Sequence, residues 1–129
     1  MKKTLLAALL LLAANAAQAQ KTEQEKQLHE MDSTARMLIA DGKFDKAVEA
    51  FTDYTAKVKH LRGEADTIYI DGLVFLGKAY FRAKRLSKAV ETAQKVVDLY
   101  GKHFNTKDKQ YAWYLDNLSL YLSSNGQHK

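Results

Sequence analysis

Cysteine and proline are both absent from the 129 residues of this chain. Without cysteine there is no disulfide, no thiolate ligand for zinc and no cysteine nucleophile. Proline normally supplies ~5% of residues and interrupts helices and the inner strands of sheets. Its absence therefore favours long, uninterrupted helices, and the short length favours a single domain.

The first residues have the three parts of a secretory signal peptide. Segment 1–3 is basic, 4–14 is almost entirely Leu and Ala, and 17–19 reads Ala-Gln-Ala. The apolar run is too short to cross ~30 Å of hydrocarbon as a helix. We therefore predict a signal peptide at 1–19 and a mature chain of 20–129. This chain would be exported to a periplasmic or extracellular location, with no membrane span after signal removal; an uncleaved anchor is the alternative.

The formal charge of +5 is partly a property of this leader. Lys2 and Lys3 supply two of the five charges, so the predicted mature chain carries +3. That charge, spread over the whole mature chain, is not the basic patch that nucleic-acid binding requires. We therefore predict that nucleic acid is not among the partners.

The remaining sequence repeats with an offset of 42 residues. Residues 46–49 read Lys-Ala-Val-Glu, and the same four residues recur at 88–91. Similar residues recur at this offset in the pairs Tyr69/Tyr111, Leu73/Leu115, Leu76/Leu118 and Gly77/Ser119. Matches at one fixed offset, at positions that also follow helical spacing, indicate a structural repeat.

Apolar residues within each repeat are spaced three and four apart, as on one face of an α-helix. One such stripe consists of Tyr69, Leu73, Leu76 and Tyr80. Glycines and capping residues, Asp66 and 105–108 among them, separate the stripes. Five helices are therefore predicted, at about 23–41, 44–61, 66–83, 86–102 and 108–124. No segment alternates with the period of a strand, so no sheet is expected.

Small and large residues follow a fixed order on each predicted helix pair. Gly77 precedes Tyr80 on the first helix of the second unit, and Ala89, Ala93 and Val96 follow on its second helix. This order resembles the tetratricopeptide repeat (TPR), and the long period resembles kinesin-light-chain-like units more than the common repeat of about 34 residues. The resemblance implies an all-α, right-handed solenoid of helical hairpins, with about five helices in two and a half repeats. An ordinary five-helix bundle is the alternative.

In tetratricopeptide repeats the first helix of each pair lines a concave groove, so the resemblance implies a peptide groove here. Carried over by position, its residues are His29, Asp32, Arg36, Asp71, Lys78, Phe81, Trp113, Asp116, Asn117 and Leu120. Aromatic anchors mixed with both signs of charge suit a peptide or protein ligand. A solvated face without a ligand is the alternative.

The last predicted helix has aromatic residues outside its main apolar stripe. Because Leu115 and Leu122 repeat the stripe of the second unit, they are expected to point into the fold. Tyr114 and Tyr121 would then lie on a flank, where we predict a protein-contact surface completed by a partner chain or a second copy. The alternative is that both tyrosines only cover the preceding helix.

No arrangement of residues indicates catalysis. The four histidines lack metal-ligand spacing, the serines lack a Gly-x-Ser-x-Gly sequence, and the glycines form no phosphate loop. We therefore predict no enzyme, with no catalytic, cofactor-binding or metal-ligating residues. The favoured function is a secreted adaptor or scaffold that binds a peptide or protein. The alternative is an extracytoplasmic sensor-type repeat segment, related to or truncated from a bacterial signalling protein.

Overall fold

The structure, a computed structural model, describes residues 2–127 of the chain. Its helices are α1 (Lys2–Ala40), α2 (Phe44–Arg62), α3 (Thr67–Arg82), α4 (Leu86–His103) and α5 (Lys109–Gln127). Residues 2–127 contain no β-strand, so the predicted all-α class with five helices is confirmed. The chain divides into two units, one within residues 2–30 and one within 31–127.

The first unit consists of α1 residues only. Leucine and alanine are strong helix formers, which explains why the apolar run at 4–14 is helical. Every side chain of residues 2–23 is exposed, and six leucines among them are 55–66% exposed. Of the helices within 2–127, none has the length and apolar character needed to cross a membrane.

In the second unit, α3 and α5 each begin at an aspartate that caps the first turn. Asp66 accepts a hydrogen bond from the Ile68 N–H, and Asp108 accepts one from the Tyr111 N–H, both at 2.8 Å. Each carboxylate satisfies a backbone donor that has no partner inside the helix, and it lies at the positive end of the helix dipole. The two predicted caps are confirmed, and they lie one repeat apart.

The turns between α1 and α2 and between α3 and α4 have the same backbone geometry. Their closing hydrogen bonds, both 2.9 Å long, run from the Lys43 N–H to the Leu38 carbonyl and from the Arg85 N–H to the Tyr80 carbonyl. The residue before each donor is left-handed, with φ of 75° at Gly42 and 65° at Lys84. Glycine adopts this conformation without steric cost, whereas Lys84 adopts it against its preference.

Consecutive helices pack against each other from α2 to α5. Phe51 of α2 is fully buried, and its ring stacks on Phe75 of α3 with centroids 5.6 Å apart. A contact also joins the first helices of successive pairs, since Phe81 of α3 stacks on Tyr121 of α5 at 4.8 Å. Contacts of both kinds are expected when helix pairs stack in sequence.

Candidate functional site

Three helices contribute the predicted groove residues: the end of α1, α3 and α5. The name α1–α3–α5 surface is used here for Asp32, Arg36, Asp71, Lys78, Trp113, Asp116, Asn117 and Leu120, all within residues 31–127. His29 is exposed and belongs to the unit within residues 2–30, so it is not assigned to this surface.

Asp32 and Arg36 form the charged end of the α1–α3–α5 surface. The Arg36 Nε donates to Asp32 Oδ1 at 3.0 Å, one turn away on α1. The guanidinium carbon of Arg36 lies 4.0 Å from the ring centroid of Phe75 on α3. An exposed ion pair contributes about 1 kcal/mol or less, and an exposed cation–π contact about as much. These contacts therefore orient the guanidinium more than they stabilise the fold.

Asp71 on α3 belongs to the same charged end. Partial burial of its carboxyl raises the pKa of Asp71, while Arg36 lowers it and Asp32 raises it further. Tyr54 on α2 is influenced by the same three groups, and burial, together with Asp32, raises the pKa of Tyr54 to about 12. Mutual influence of this kind requires the charged groups to lie close together. Two carboxylates therefore share one oriented guanidinium.

Trp113 and Leu120 form the apolar end, on α5. They are seven residues apart and therefore lie on the same face, two turns from each other. Their exposed fractions are 49% and 52%. The Trp113 ring lies tilted against Tyr114, with centroids 5.6 Å apart. The apolar end therefore offers a large aromatic ring that is supported from one side and open to solvent on the other.

The remaining residues of this surface lie between or beside these ends. Lys78 and Asp116 are exposed, and Asn117 is half-buried. Asn117 lines a small cavity together with Val74 and Gly77, so this side of α5 lies against α3. The cavity measures about 10 Å³, room for roughly one water, and is far smaller than a small-molecule site. Any ligand of this surface would therefore lie across it.

Phe81 differs from the other predicted groove residues. Its ring is half-buried and stacks on Tyr121, as described above. That contact joins α3 to α5, so Phe81 holds the two helices together instead of offering an exposed anchor.

The expected orientation of α5 is wrong, and with it the exposure expected for Tyr114 and Tyr121. Only 4% of Tyr114 and 7% of Tyr121 are exposed, whereas Leu115 and Leu122 are 39% and 50% exposed. Burial raises the pKa of both tyrosines. Tyr114 packs edge-on against Tyr100 of α4, with centroids 5.1 Å apart. The two tyrosines are therefore core residues of α5, because they lie on the side of the helix that faces α3 and α4.

Sequence reasoning did not single out Phe75, on which Arg36 stacks. A signal for it existed, since Phe75 is the repeat equivalent of Asn117, which was included. Phe75 also follows Asp71 by four residues, on the same side of α3. Applying the repeat offset to every groove position would have identified it.

A second groove lies between α2 and α4, above α3, with a volume of about 330 Å³. Its rim includes Lys59, Lys88 and Lys95. Lys59 pairs with Glu64 at 2.9 Å, and Lys88 pairs weakly with the exposed Glu91 at 3.4 Å. This rim is a solvated ion-paired edge, which is ordinary for the outer side of packed helices.

Metal-binding geometry is absent from the part of the chain that the structure describes. No group of three or more histidine, aspartate or glutamate side chains there could hold a metal ion. His60 and His103 are exposed near the ends of α2 and α4, and His128 lies outside the described residues.

No protein-family model matches the chain, and no curated protein matches it either. The resemblance to tetratricopeptide repeats therefore stays a prediction from the order of residues. The structure itself shows repeated features: the paired caps at Asp66 and Asp108, the paired turns at Gly42 and Lys84, and the sequential helix contacts.

Proposed function

We propose that this chain is an exported, non-enzymatic helical-repeat protein of the tetratricopeptide type that binds a peptide or protein partner. The α1–α3–α5 surface would hold that partner, and the chain would act as an adaptor or scaffold. Self-association through the C-terminal helix is a second part of the proposal. Removal of residues 1–19 during export is a third.

One observation supports partner binding above the others: Trp113 and Leu120 remain about half exposed on the same surface as an oriented Arg36. Tryptophan and arginine are the residue types that most often dominate binding energy at protein interfaces. An apolar patch bordered by charged groups is typical of interaction sites. The oriented guanidinium also loses little side-chain freedom on binding, which reduces the entropic cost.

The charges of this surface indicate the kind of peptide that would fit. The carboxylates of Asp32 and Asp71 lie around Arg36 at one end, and the ring of Trp113 is open at the other. A peptide with a polar or basic residue at one end and an apolar side chain at the other matches both ends. Backbone amides of an extended peptide can also bond to Asn117 and Lys78 between them.

The test begins with random peptides displayed on phage and selected on the immobilised chain. The affinity of one selected peptide is then measured by fluorescence anisotropy. Trp113→Ala is expected to weaken binding about tenfold or more, because an exposed aromatic anchor is removed. Met37→Ala is the matched control, since Met37 is 63% exposed on α1 but outside this surface. Equal losses in both variants would contradict the proposal, as would unchanged binding by Trp113→Ala.

Export has a separate test. The chain is expressed in a bacterium, and the N-terminus of the accumulated product is sequenced. The proposal requires a product that begins at Gln20, and Ala19→Lys should prevent its formation because signal cleavage needs small residues before the cut. A product that retains the leader in the unmodified chain would contradict this part.

A further inference from the structure

The outward side of α5 carries a row of residues that was expected to be partly core. We call Ala112, Leu115, Ser119, Leu122 and Gly126 the outer row of α5. All five are exposed, with Leu115 at 39% and Leu122 at 50%. They follow one another at steps of three, four, three and four, so they lie along one side of the helix.

The row of α3 that is equivalent in the 42-residue repeat packs against another helix. One repeat earlier, Ile70, Leu73 and Gly77 are buried. A Cβ placed on Gly77 would lie 3.6 Å from Thr92 Cγ2 of α4. Leu73 lines the same small cavity as Ala93 of α4. The row on α3 is therefore a surface for another helix, whereas within residues 31–127 the outer row of α5 has no helix against it.

The outer row alternates small and large residues in a nearly palindromic order. Small residues at 112, 119 and 126 are separated by leucines at 115 and 122. An antiparallel copy of the same helix, related by a two-fold axis near Ser119, would bring Ala112 opposite Gly126 of the partner subunit. The same axis would bring Leu115 opposite Leu122 of the partner subunit. Small residues would then face small residues, which allows close approach, and the leucines would interdigitate beside them.

Charge also favours a second copy of this helix. Lys109 and Asp116 are the only residues of α5 that are charged at neutral pH, and neither belongs to the outer row. An antiparallel pair would therefore bury no charge along its contact line, and it would avoid the desolvation cost that ionised groups impose. By contrast, the outward sides of α2 and α4 carry several lysines.

We propose that the outer row of α5 is the interface of a homodimer, in which α5 packs antiparallel on α5 of a second copy. The inference names the surface for the self-association part of the proposed function, and it rests on that part only. One helix pair buries less than the ~800 Å² per partner of a standard stable interface, so the dimer forms at micromolar or higher concentration.

Cysteine crosslinking tests both the interface and its direction, because the chain contains no cysteine of its own. Ser119→Cys would lie on the two-fold axis, so oxidised glutathione should link two full-length chains into a covalent dimer. The matched control is Ser87→Cys, which is exposed on α4. Ser119→Cys is expected to crosslink about tenfold faster or more, because pairing raises the local thiol concentration.

The direction is tested with Ala112→Cys and Gly126→Cys. Each variant alone should crosslink slowly, since identical positions lie far apart in an antiparallel pair, whereas a mixture of the two should crosslink rapidly. Fast crosslinking of Ala112→Cys alone would indicate parallel helices and overturn the proposal.

A charge placed in the contact is a further test of the interface. Leu115→Asp should slow the crosslinking of Ser119→Cys, because the new carboxylate would be buried between the two helices. Met37→Asp, the control, should leave the crosslinking rate unchanged.

Two other outcomes would also overturn the homodimer. One is that Ser119→Cys reacts no faster than Ser87→Cys, and the other is that a helix of another protein captures Ser119→Cys instead of its own copy. Peptide binding by the α1–α3–α5 surface is measured with Trp113→Ala, which lies outside the outer row. Unchanged peptide binding by Trp113→Ala, together with rapid crosslinking of Ser119→Cys, would therefore contradict only the peptide proposal. Weakened peptide binding by Trp113→Ala, without rapid crosslinking of Ser119→Cys, would contradict only the homodimer.

Discussion

Helices α3 and α5 are equivalent in the 42-residue repeat, yet they are covered to different extents. Leu73 of α3 is 5% exposed, whereas its equivalent Leu115 of α5 is 39% exposed. The reason is the number of neighbours: α3 packs between the preceding helix α2 and the following helix α4. Helix α5 packs against the preceding helix α4, and the described residues contain no helix after it. The same apolar pattern is core in one helix and surface in the other, so burial depends on neighbours as much as on pattern.

The interfaces α2–α3 and α4–α5 are also equivalent, but large and small residues are exchanged between them. In the first, Gly72 of α3 lies against Tyr54 and Thr55 of α2. In the second, Tyr114 occupies the position of Gly72, and Val96 occupies that of Tyr54. A large residue meets a small one in both cases, so the space between the helices is filled from opposite sides.

The largest effect is expected from emptying the α4–α5 interface. Tyr114→Ala should lower the free energy of unfolding by about 3–5 kcal/mol, because it removes a buried aromatic ring and leaves a cavity. Urea denaturation followed by circular dichroism measures the loss. Trp113→Ala is the matched control, since Trp113 is the neighbouring aromatic residue and is about half exposed. Equal losses from the two variants would mean that α5 is not oriented as described.

The exchange itself can be tested by reversing it. A chain with Tyr114→Gly and Val96→Tyr recreates in α4–α5 the arrangement of α2–α3. It should recover part of the stability that Tyr114→Gly alone loses, because the added ring fills the space left by the other. A double variant less stable than the single one would show that the two interfaces are not interchangeable.

A smaller effect is expected from overfilling the α2–α3 interface. A Cβ on Gly72 would lie 2.9 Å from Thr55 Cγ2 and 3.1 Å from Tyr54 Cε1. The resulting strain of about 1–3 kcal/mol exceeds the roughly 1 kcal/mol that alanine gains over glycine in a helix. Gly72→Ala should therefore destabilise the fold by about 1 kcal/mol, measured by the same denaturation.

Two variants separate crowding from helix propensity. Thr55→Ser removes the crowding Cγ2 and keeps the 2.8 Å hydrogen bond from Oγ1 to the Phe51 carbonyl. In that background Gly72→Ala should become neutral or stabilising. Gly101→Ala in α4, whose nearest neighbour would lie 3.5 Å from the new Cβ, should be stabilising as well. Destabilisation of the same size in all three cases would contradict the crowding argument.

Local features of the fold could be predicted from the sequence because their causes are local. The start of α3 depends on Asp66, and the turn before α2 depends on Gly42, and both signals are readable in the chain. The predicted bounds of α2 to α5 therefore lie close to those observed. Helix α1 extends further towards the N-terminus than predicted, because the Leu- and Ala-rich leader continues the same helix.

Tertiary features were harder to predict because the same apolar stripe on α3 and α5 packs against different neighbouring helices. Leu115 and Leu73 hold the same place on the apolar stripe, but α3 is followed by a helix that packs on it, α4, whereas the described residues contain no helix after α5. At the candidate site, Asp32 and Arg36 were found by repeat position. The stacking of Arg36 on Phe75 was not found, because it depends on the distance between two helices that are far apart in sequence.

A still smaller effect is expected at the two equivalent turns, α1–α2 and α3–α4, and there a substitution should stabilise the fold. Lys84 has the left-handed conformation that Gly42 has in the first turn. Lys84→Gly should raise the free energy of unfolding by about 0.5–1 kcal/mol, because it relieves the steric cost at positive φ. Gly42→Ala should lower it by a similar amount. Thermal denaturation of both variants checks this, and a destabilising Lys84→Gly would contradict it.

The smallest effect concerns the two capping aspartates, which differ in their second partner. The Tyr100 hydroxyl donates to Asp108 Oδ2 at 2.6 Å, whereas the equivalent of Tyr100 near Asp66 is Val58. The hydrogen bond from Tyr100, and then that from the Tyr111 N–H, hold the pKa of Asp108 below its ordinary value. A carboxyl with a lowered pKa adds stability above its ordinary pKa of about 4 and loses it as the pH falls.

Tyr100→Phe should therefore destabilise the protein at about pH 6, and the difference from the unmodified chain should shrink towards about pH 3. The stability difference should shrink because protonation of Asp108 weakens its hydrogen bond from the Tyr100 hydroxyl, which Tyr100→Phe lacks at every pH. Urea denaturation across this range measures it. Tyr111→Phe is the control, since its ring also lies against Tyr100 but the Tyr100–Asp108 bond is retained. A difference that stays constant with pH would mean that the bond from Tyr100 does not set the titration of Asp108.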